Sequence, residues 1–367
     1  MSIPLTPEVR ALLVLHLVPG LGPMRTAALL ERFGSAEAVL RAGREELLAV
    51  DHVGPKLTAD LLATVRQADI DAELRLLERH NTRLLVLGTP DYPPPLATIT
   101  DAPHLLYVRG TLEPRDGRAV GIVGSRHCTA YGKRMAEHLA AGLARAGYTI
   151  VSGLARGIDG VAHRAALQAG GRTVAVLAGG LSRIYPPEHA GLAKEVEAAG
   201  ALLTESTMAQ APLAPLFPAR NRLISGLCQG VVIVEAAERS GALITASHAA
   251  EQGRAAMAVP GPADSPTSGG TNELIRKGAV LVRGPEDVRE ELEGVSATVA
   301  PPPSAEPPPG LDEAQRRVWE LLREQPRHLD EIVQRLGLQV PQVAGMLLTL
   351  ELKKVVRRLP GNRYERC

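Results

Sequence analysis

The spacing of apolar positions changes period several times along the chain, and each change marks an element. From Ala119, short β-branched runs alternate with helix-period segments. Ala119-Val120-Gly121-Ile122-Val123 precedes a helix face of Met135, Leu139, Leu143 and Ala146; Tyr148-Thr149-Ile150-Val151 precedes a helix carrying Ala162, Ala165, Ala166 and Leu167. Further strands are predicted at 173–177, 201–203, 230–235, 256–259 and 280–282, with helices at 190–199, at 245–252 and from near Glu273. Continuous apolar strands joined by helical crossovers predict an α/β fold with a parallel sheet buried on both faces. Arg83 to Leu87 and Leu105 to Val108, flanking the Pro-rich loop Asp91 to Pro95, read as strands that extend the same sheet.

The pattern differs on either side. Residues 1–82 are helical and contain two similar turns, Leu17-Val18-Pro19-Gly20-Leu21-Gly22 and Val50-Asp51-His52-Val53-Gly54-Pro55. These resemble helix-hairpin-helix turns, SAM-like in architecture, whose backbone amides can contact a DNA phosphate. His52 stands where the second copy should have its first glycine, and a packing or protein-interaction module is the competing reading. Residues 294–311 hold two Pro-Pro-Pro runs and read as a semi-stiff linker. Residues 312–367 read as three helices and a hairpin in winged-helix order. Lys353, Lys354, Arg357 and Arg358 gather at the wing, where they would track duplex phosphates or form a solvated face for a protein partner.

Composition narrows the class. Across 367 residues the apolar fraction of 45% suffices for a core, but aromatics are only 2%, so each ring matters. A formal charge of +1 leaves any basic surface local. The cysteines Cys128, Cys228 and Cys367 lie far apart and suggest neither a disulfide framework nor a zinc site. Scattered histidines lack metal-ligand spacing. No apolar run is long enough to span a bilayer, and a cytoplasmic protein is expected.

Candidate chemistry lies in the strand-to-helix turns. Gly124-Ser125-Arg126 and Ser152-Gly153-Leu154-Ala155-Arg156-Gly157 follow successive strands, at the sheet end where α/β folds bind ligands. Glycines and helix N-termini there favour phosphate. Neither G-x-G-x-x-G nor G-x-x-x-x-G-K-[ST] occurs, which argues against a dinucleotide cofactor and a P-loop ATPase; no cofactor is expected. The stretch from Pro212 to Gly226, read as a loop, contains Phe217, Arg220, Asn221 and Arg222. Single-strand binding needs a basic groove and a ring on which bases stack. Phe217 is the first candidate for that ring and Tyr185 the second, with Arg126 as a bidentate phosphate contact. Core packing of Phe217, and ion pairs from Arg220 or Arg222 to Glu205 or Glu235, compete with this reading.

Gly-Ser-Arg at 124–126, Ser-Gly-x-Ala-x-Gly-Ile-Asp at 152–159, Tyr-Pro-Pro-Glu-His at 185–189 and Phe-Pro-x-Arg-Asn-Arg-x-Ile-Ser-Gly at 217–226 resemble the DNA-processing protein A (DprA/Smf) family. Glu235-Ala236, Ser240-Gly241-Ala242 and Gly-Thr-Asn-x-Leu-Ile at 270–275 extend the resemblance over residues 83–284. It implies an extended Rossmann-like domain at 83–293 and a winged helix like that of many members. It further implies a homodimer that binds single-stranded DNA, protects incoming DNA and helps load RecA recombinase during natural transformation. Read together with the turns and the Phe217 segment, the candidate DNA contacts are Gly124, Ser125, Arg126, Ser152, Gly153, Arg156, Phe217, Arg220, Asn221 and Arg222, with possible duplex contacts at the wing; no catalytic or metal-binding residue is expected.

The fold also looks like that of lysine-decarboxylase-like phosphoribohydrolases, which gives an alternative reading as a nucleotide-binding enzyme. Their P-G-G-x-G-T-x-x-E motif is missing after the strand at 231–235, where no carboxylate appears between Ala242 and Glu251. Asp159 and His163, four residues apart on one helix face, could imitate an acid–base pair. Asp159 is expected instead to cap or orient the Ser152–Gly157 turn.

Overall fold

The computed structural model describes residues 6–294, 311–322, 327–353, 355–359 and 363–366. They fall into two compact units, divided between Ser296 and Ala297. The first is built on a nine-stranded sheet. Its strands are β1 (Arg83–Val86), β2 (Leu105–Gly110), β3 (Ala119–Val123), β4 (Thr149–Ser152), β5 (Thr173–Val176), β6 (Ala201–Thr204), β7 (Gly230–Ile233), β8 (Ala255–Ala258) and β9 (Val280–Leu281).

The order across the sheet is β1-β2-β6-β5-β4-β3-β7-β8-β9. Strands β3 to β9 are parallel, while β2 pairs antiparallel with both β1 and β6. The chain enters the parallel sheet at β3, steps outward to β6, then returns to β7 on the other side of β3. This is a Rossmann-like arrangement with its switch point between β3 and β7, where the following loops diverge and leave a crevice. Burial explains the unbroken apolar runs: every residue of β3, β4, β5, β6 and β7 is buried, with helices over both faces.

The helices before Thr82 pack directly on this sheet. Leu12, Leu13, Leu15 and Leu61 share one apolar cluster with Tyr107, Ala175, Leu177 and Leu202. Polar groups tie the same seam. The buried Glu73 carboxylate accepts the Met208 amide at 2.7 Å, and His16 lies 5.6 Å, ring centre to ring centre, from Tyr107.

Residues 212–226 depart from the loop expected of them. A helix spans Leu216–Leu227, with Leu223, Ile224 and Leu227 buried. Pro218 stands in its first turn, where the missing N–H has no helical partner to lose. The proline obscured the apolar spacing behind it.

The second unit holds helices Glu313–Leu321, Leu329–Leu336 and Val340–Leu352 with the strands β10 (Arg327–His328), β11 (Val356–Leu359) and β12 (Arg363–Arg366), ordered β10-β12-β11. Val318, Trp319, Ile332, Leu347 and Tyr364 share its core. It is a winged helix; β10 was not expected from sequence. The predicted linker lies, but for its ends, outside the described residues.

Candidate nucleic-acid interface

Two loops meet where the strand order reverses. The Ser125 amide donates to the Glu235 carbonyl at 2.7 Å, and the Ile158 amide donates to the Ser125 carbonyl at 3.1 Å. The turn after β3 is thereby fixed to the turns after β7 and β4. Gly157 makes the closeness possible: its φ is +73°, and a Cβ there would lie 2.1 Å from the Ser125 oxygen. These bonds use up the Ser125 amide and carbonyl, and the Ser125 hydroxyl accepts the His127 amide at 3.1 Å. The turn therefore presents its Arg126 side chain rather than an open nest of amides.

Glu235 occupies the crevice itself. Its carboxylate accepts the Thr129 amide at 3.1 Å and the Thr129 hydroxyl at 2.9 Å, at the start of helix Ala130–Arg145. A Cβ on Gly132 would lie 2.0 Å from the same carboxylate. An internal anion thus takes the helix N-terminus that α/β sheets commonly offer to a phosphate.

Below the rim lies a buried polar layer. The Ser152 hydroxyl donates to the Ile122 carbonyl at 2.6 Å. Asp159 accepts the amides of Gly153 at 3.1 Å and Ala155 at 3.4 Å, holding the turn after β4 as its position predicts. Burial pushes the Asp159 carboxyl above the usual carboxylate range, opposed by Arg220 and by the two amides. Arg220, 5% exposed, donates to the carbonyls of Gly153 and Val176; burial pulls it down to about 10, so it stays cationic at neutral pH. His163 bonds Thr173 through Nδ1 at 2.7 Å, and burial lowers it to about 3. Asp159 faces backbone and His163 faces Thr173, so they form no acid–base pair.

The exposed layer above has a different composition. The Arg126 guanidinium carbon stands 4.6 Å from the centre of the Phe217 ring. Phe217 meets Tyr185 edge to face, with centroids 6.0 Å apart and planes at 68°. Arg156 lies 5.9 Å from the Tyr185 ring and pairs with Glu188. Arg183 is exposed and lines the same shallow pocket as Arg126, Arg156, Tyr185 and Phe217. Among the described residues neither Arg126 nor Arg183 meets a carboxylate. A ring pair edged by cations is what stacking bases and tracking phosphates require.

Residues 83–293 match the family model described as DNA recombination-mediator protein A, and residues 301–362 match the DprA winged helix domain. The chain belongs to the DprA/Smf family. It is 43% identical to Protein Smf of Escherichia coli over 297 residues, covering 80% of this chain and 79% of that protein. The crystal structure of DprA from Streptococcus pneumoniae superposes with a TM-score of 0.68 at 34% identity, over 80% of this chain and 99% of that one. A structure of the Helicobacter pylori protein, described for its single-stranded DNA binding mode, superposes with a TM-score of 0.52 at 30% identity, over 58% of this chain and 95% of that one.

The ten candidate contacts divide by burial. Arg126, Arg156 and Phe217 reach the surface rim, whereas Gly124, Ser125, Ser152 and Gly153 build its floor. Asn221 is half-buried, donating to the Gly241 carbonyl at 3.2 Å and accepting from Arg220. Two candidates need correcting as direct phosphate contacts at this rim. Arg220 is spent on strand-end carbonyls, and Arg222 is buried between Asp101, at 3.0 Å, and Glu205. Glu205 was one of the partners the sequence suggested; Asp101 was not. Arg183, two residues before the Tyr185–His189 stretch, was not among the sequence candidates but lines this pocket.

At the wing, Lys353 is exposed and its Nζ donates to Gln315 at 3.3 Å. Lys354 and the side chains of Arg357 and Arg358 lie outside the described residues. Helix Val340–Leu352 has no Arg or Lys. Among the described residues no cluster of His, Cys, Asp or Glu could hold a metal ion, and no helix is long and apolar enough to cross a membrane.

Proposed function

We propose that this protein binds single-stranded DNA through Arg126, Arg156, Arg183, Tyr185 and Phe217, and acts as a non-enzymatic recombination mediator. The observation that carries the proposal is Arg126 lying on the Phe217 ring beside Tyr185, on an exposed rim with no carboxylate opposite Arg126. Phosphate would draw Arg126 off the ring, and the freed face would take a base. The floor residues and Asn221 keep the rim in shape. Membership of a family described as recombination mediators supports the wider role. In that role a homodimer in the cytoplasm protects incoming strands and passes them to RecA during transformation, while the winged helix engages duplex DNA.

Glu235 weighs against the alternative of a nucleotide-processing enzyme, because it fills the helix N-terminus that a nucleotide phosphate would use. Fluorescence anisotropy of labelled oligothymidine over a salt series tests the proposal. Wild type should bind tightly and lose affinity with salt, and Arg126→Ala should bind more weakly with a shallower salt slope. Poor binding by wild type, or equal binding by the variant, would remove the rim from the account.

A further inference from the structure

The three cations of the rim are not equivalent. Arg126 and Arg183 meet no carboxylate among the described residues, whereas Arg156 donates its Nε–H to Glu188. The pair lies in the open, with the two side chains 49% and 50% exposed. Glu188 holds the Arg156 guanidinium above its ordinary value, and Arg156 holds the Glu188 carboxyl below its own. Arg156 also stands 5.9 Å from the Tyr185 ring. Glu188 thus occupies the cation that borders the second ring of the rim.

The segment that carries Glu188 does not depend on this pair for its position. It runs from Tyr185 into the short turn Pro187–His189, and the residue after Glu188 is a buried anchor. His189, 6% exposed, bonds the Leu154 carbonyl through Nδ1 at 2.9 Å. A carbonyl can only accept, so Nδ1 carries the proton and Nε2 accepts from Arg164 at 3.2 Å. The ring packs on Gly160 of helix Ile158–Gln168, where a Cβ would lie 2.7 Å from His189 Cε1. His189 and Glu188 therefore tie one segment to one turn, the first from a buried position and the second at the surface. The buried link keeps the two stretches together, so the exposed one can open without releasing Tyr185.

We infer that Glu188 is a latch: its carboxylate stands in for phosphate on Arg156 in the free protein, and a bound strand displaces it. The latch rests on the function proposed above and regulates that same site. A surface ion pair is weak enough for phosphate to replace. A strand already held at Arg126 presents its neighbouring phosphates at high effective concentration, which favours the exchange. Arg156 then trades one anion for another, so in wild type it adds little to the salt dependence of binding.

Glu188→Gln keeps the shape of the side chain and removes its charge. Full-length wild type, Glu188→Gln, Arg156→Ala, the double variant and Arg126→Ala are titrated with labelled oligothymidine of roughly twenty residues over a salt series. Glu188→Gln should bind about two- to fivefold more tightly, the range that a surface ion pair allows. Its salt slope should be steeper by about 0.7, one phosphate contact on a single strand. On the Arg156→Ala background the same replacement should gain less than about twofold, because the partner through which Glu188 acts is gone. An equal gain there would make Glu188 a general repellent of phosphate and overturn the latch. Wild-type affinity and slope in Glu188→Gln, with Arg126→Ala weakened, overturn the latch and leave the rim standing. If Arg126→Ala also binds as wild type does, the rim fails and the latch falls with it.

Discussion

Arg126 and Phe217 come from turns ninety-one positions apart in sequence and meet with the guanidinium 4.6 Å from the ring centre. The contact is exposed on the Arg side and adds roughly 0.5–1 kcal/mol to the folded protein. Under the proposed function, the same contact would exchange a cation for a base. Phe217→Leu keeps apolar volume in the first turn of its helix but offers no π face. Single-strand affinity should fall by about 1–3 kcal/mol with the salt slope unchanged. Arg126→Ala should reduce the slope by roughly one phosphate contact, about 0.7 units for a single strand. Anisotropy titrations over a salt series distinguish the two; matching slopes for both variants would deny Arg126 its phosphate.

Arg222 should behave in the opposite way at the rim. It pairs with Asp101 at 3.0 Å and with Glu205, which burial already holds above the usual carboxylate range. Arg222→Ala leaves both acids without a partner. A broken buried pair costs about 3–5 kcal/mol, and the lower end applies because Asp101 is 35% exposed. Denaturant unfolding should show that loss, while affinity for a short oligothymidine at the rim stays near wild type wherever the variant remains folded.

The contrast shows how far sequence alone could reach. Strand positions and the glycine-rich turns were legible because a buried parallel strand must be apolar throughout and a tight turn needs glycine. Aromatic scarcity singled out Phe217 and Tyr185, and the structure brings the two rings together at one rim. The fate of each arginine was not legible. Arg126, Arg220 and Arg222 look alike in sequence, and only the crossing of helix Leu216–Leu227 over the sheet ends decides which are buried. Asp101 as a partner of Arg222 depends on a contact across more than a hundred positions that no local pattern records.

Acid should destabilise the fold through its buried histidines, most strongly His16 and His163, with His104 and His80 shifted the same way. Burial holds His16 at about 4 and His163 at about 3, against an ordinary value of 6.5. Both are neutral when folded, so below about pH 6.5 the unfolded chain takes up protons that the folded chain refuses. Their contribution is fully present above that pH and is lost as pH falls toward the folded values. Together they give a slope approaching 2.7 kcal/mol per pH unit, about 1.36 for each group. Asp159 and Glu205, with raised values, oppose this from the carboxylate range. Denaturation midpoints should drop between about pH 6.5 and 5, and replacing His16 with Gln should make the slope shallower by up to about 1.36 kcal/mol per pH unit. A midpoint independent of pH in that window would contradict the burial of both rings.

The winged helix sets a different limit. Helix Val340–Leu352, placed as a recognition helix would be, carries no Arg or Lys, so it cannot form the bidentate contacts that read guanine. Contact of the neighbouring wing's cations with duplex phosphates would be blind to sequence. Removing residues 297–367 should therefore weaken duplex binding equally for unrelated sequences. The salt slope should fall by roughly two to four units, at about 0.9 for each phosphate that the wing had neutralised. Binding of a short oligothymidine should be unchanged, because the rim lies wholly within the first unit. A truncated protein that retains full duplex affinity would leave the wing to a protein partner, and a weakening confined to one duplex sequence would point to base readout, for which Gln342 is the exposed candidate on that helix.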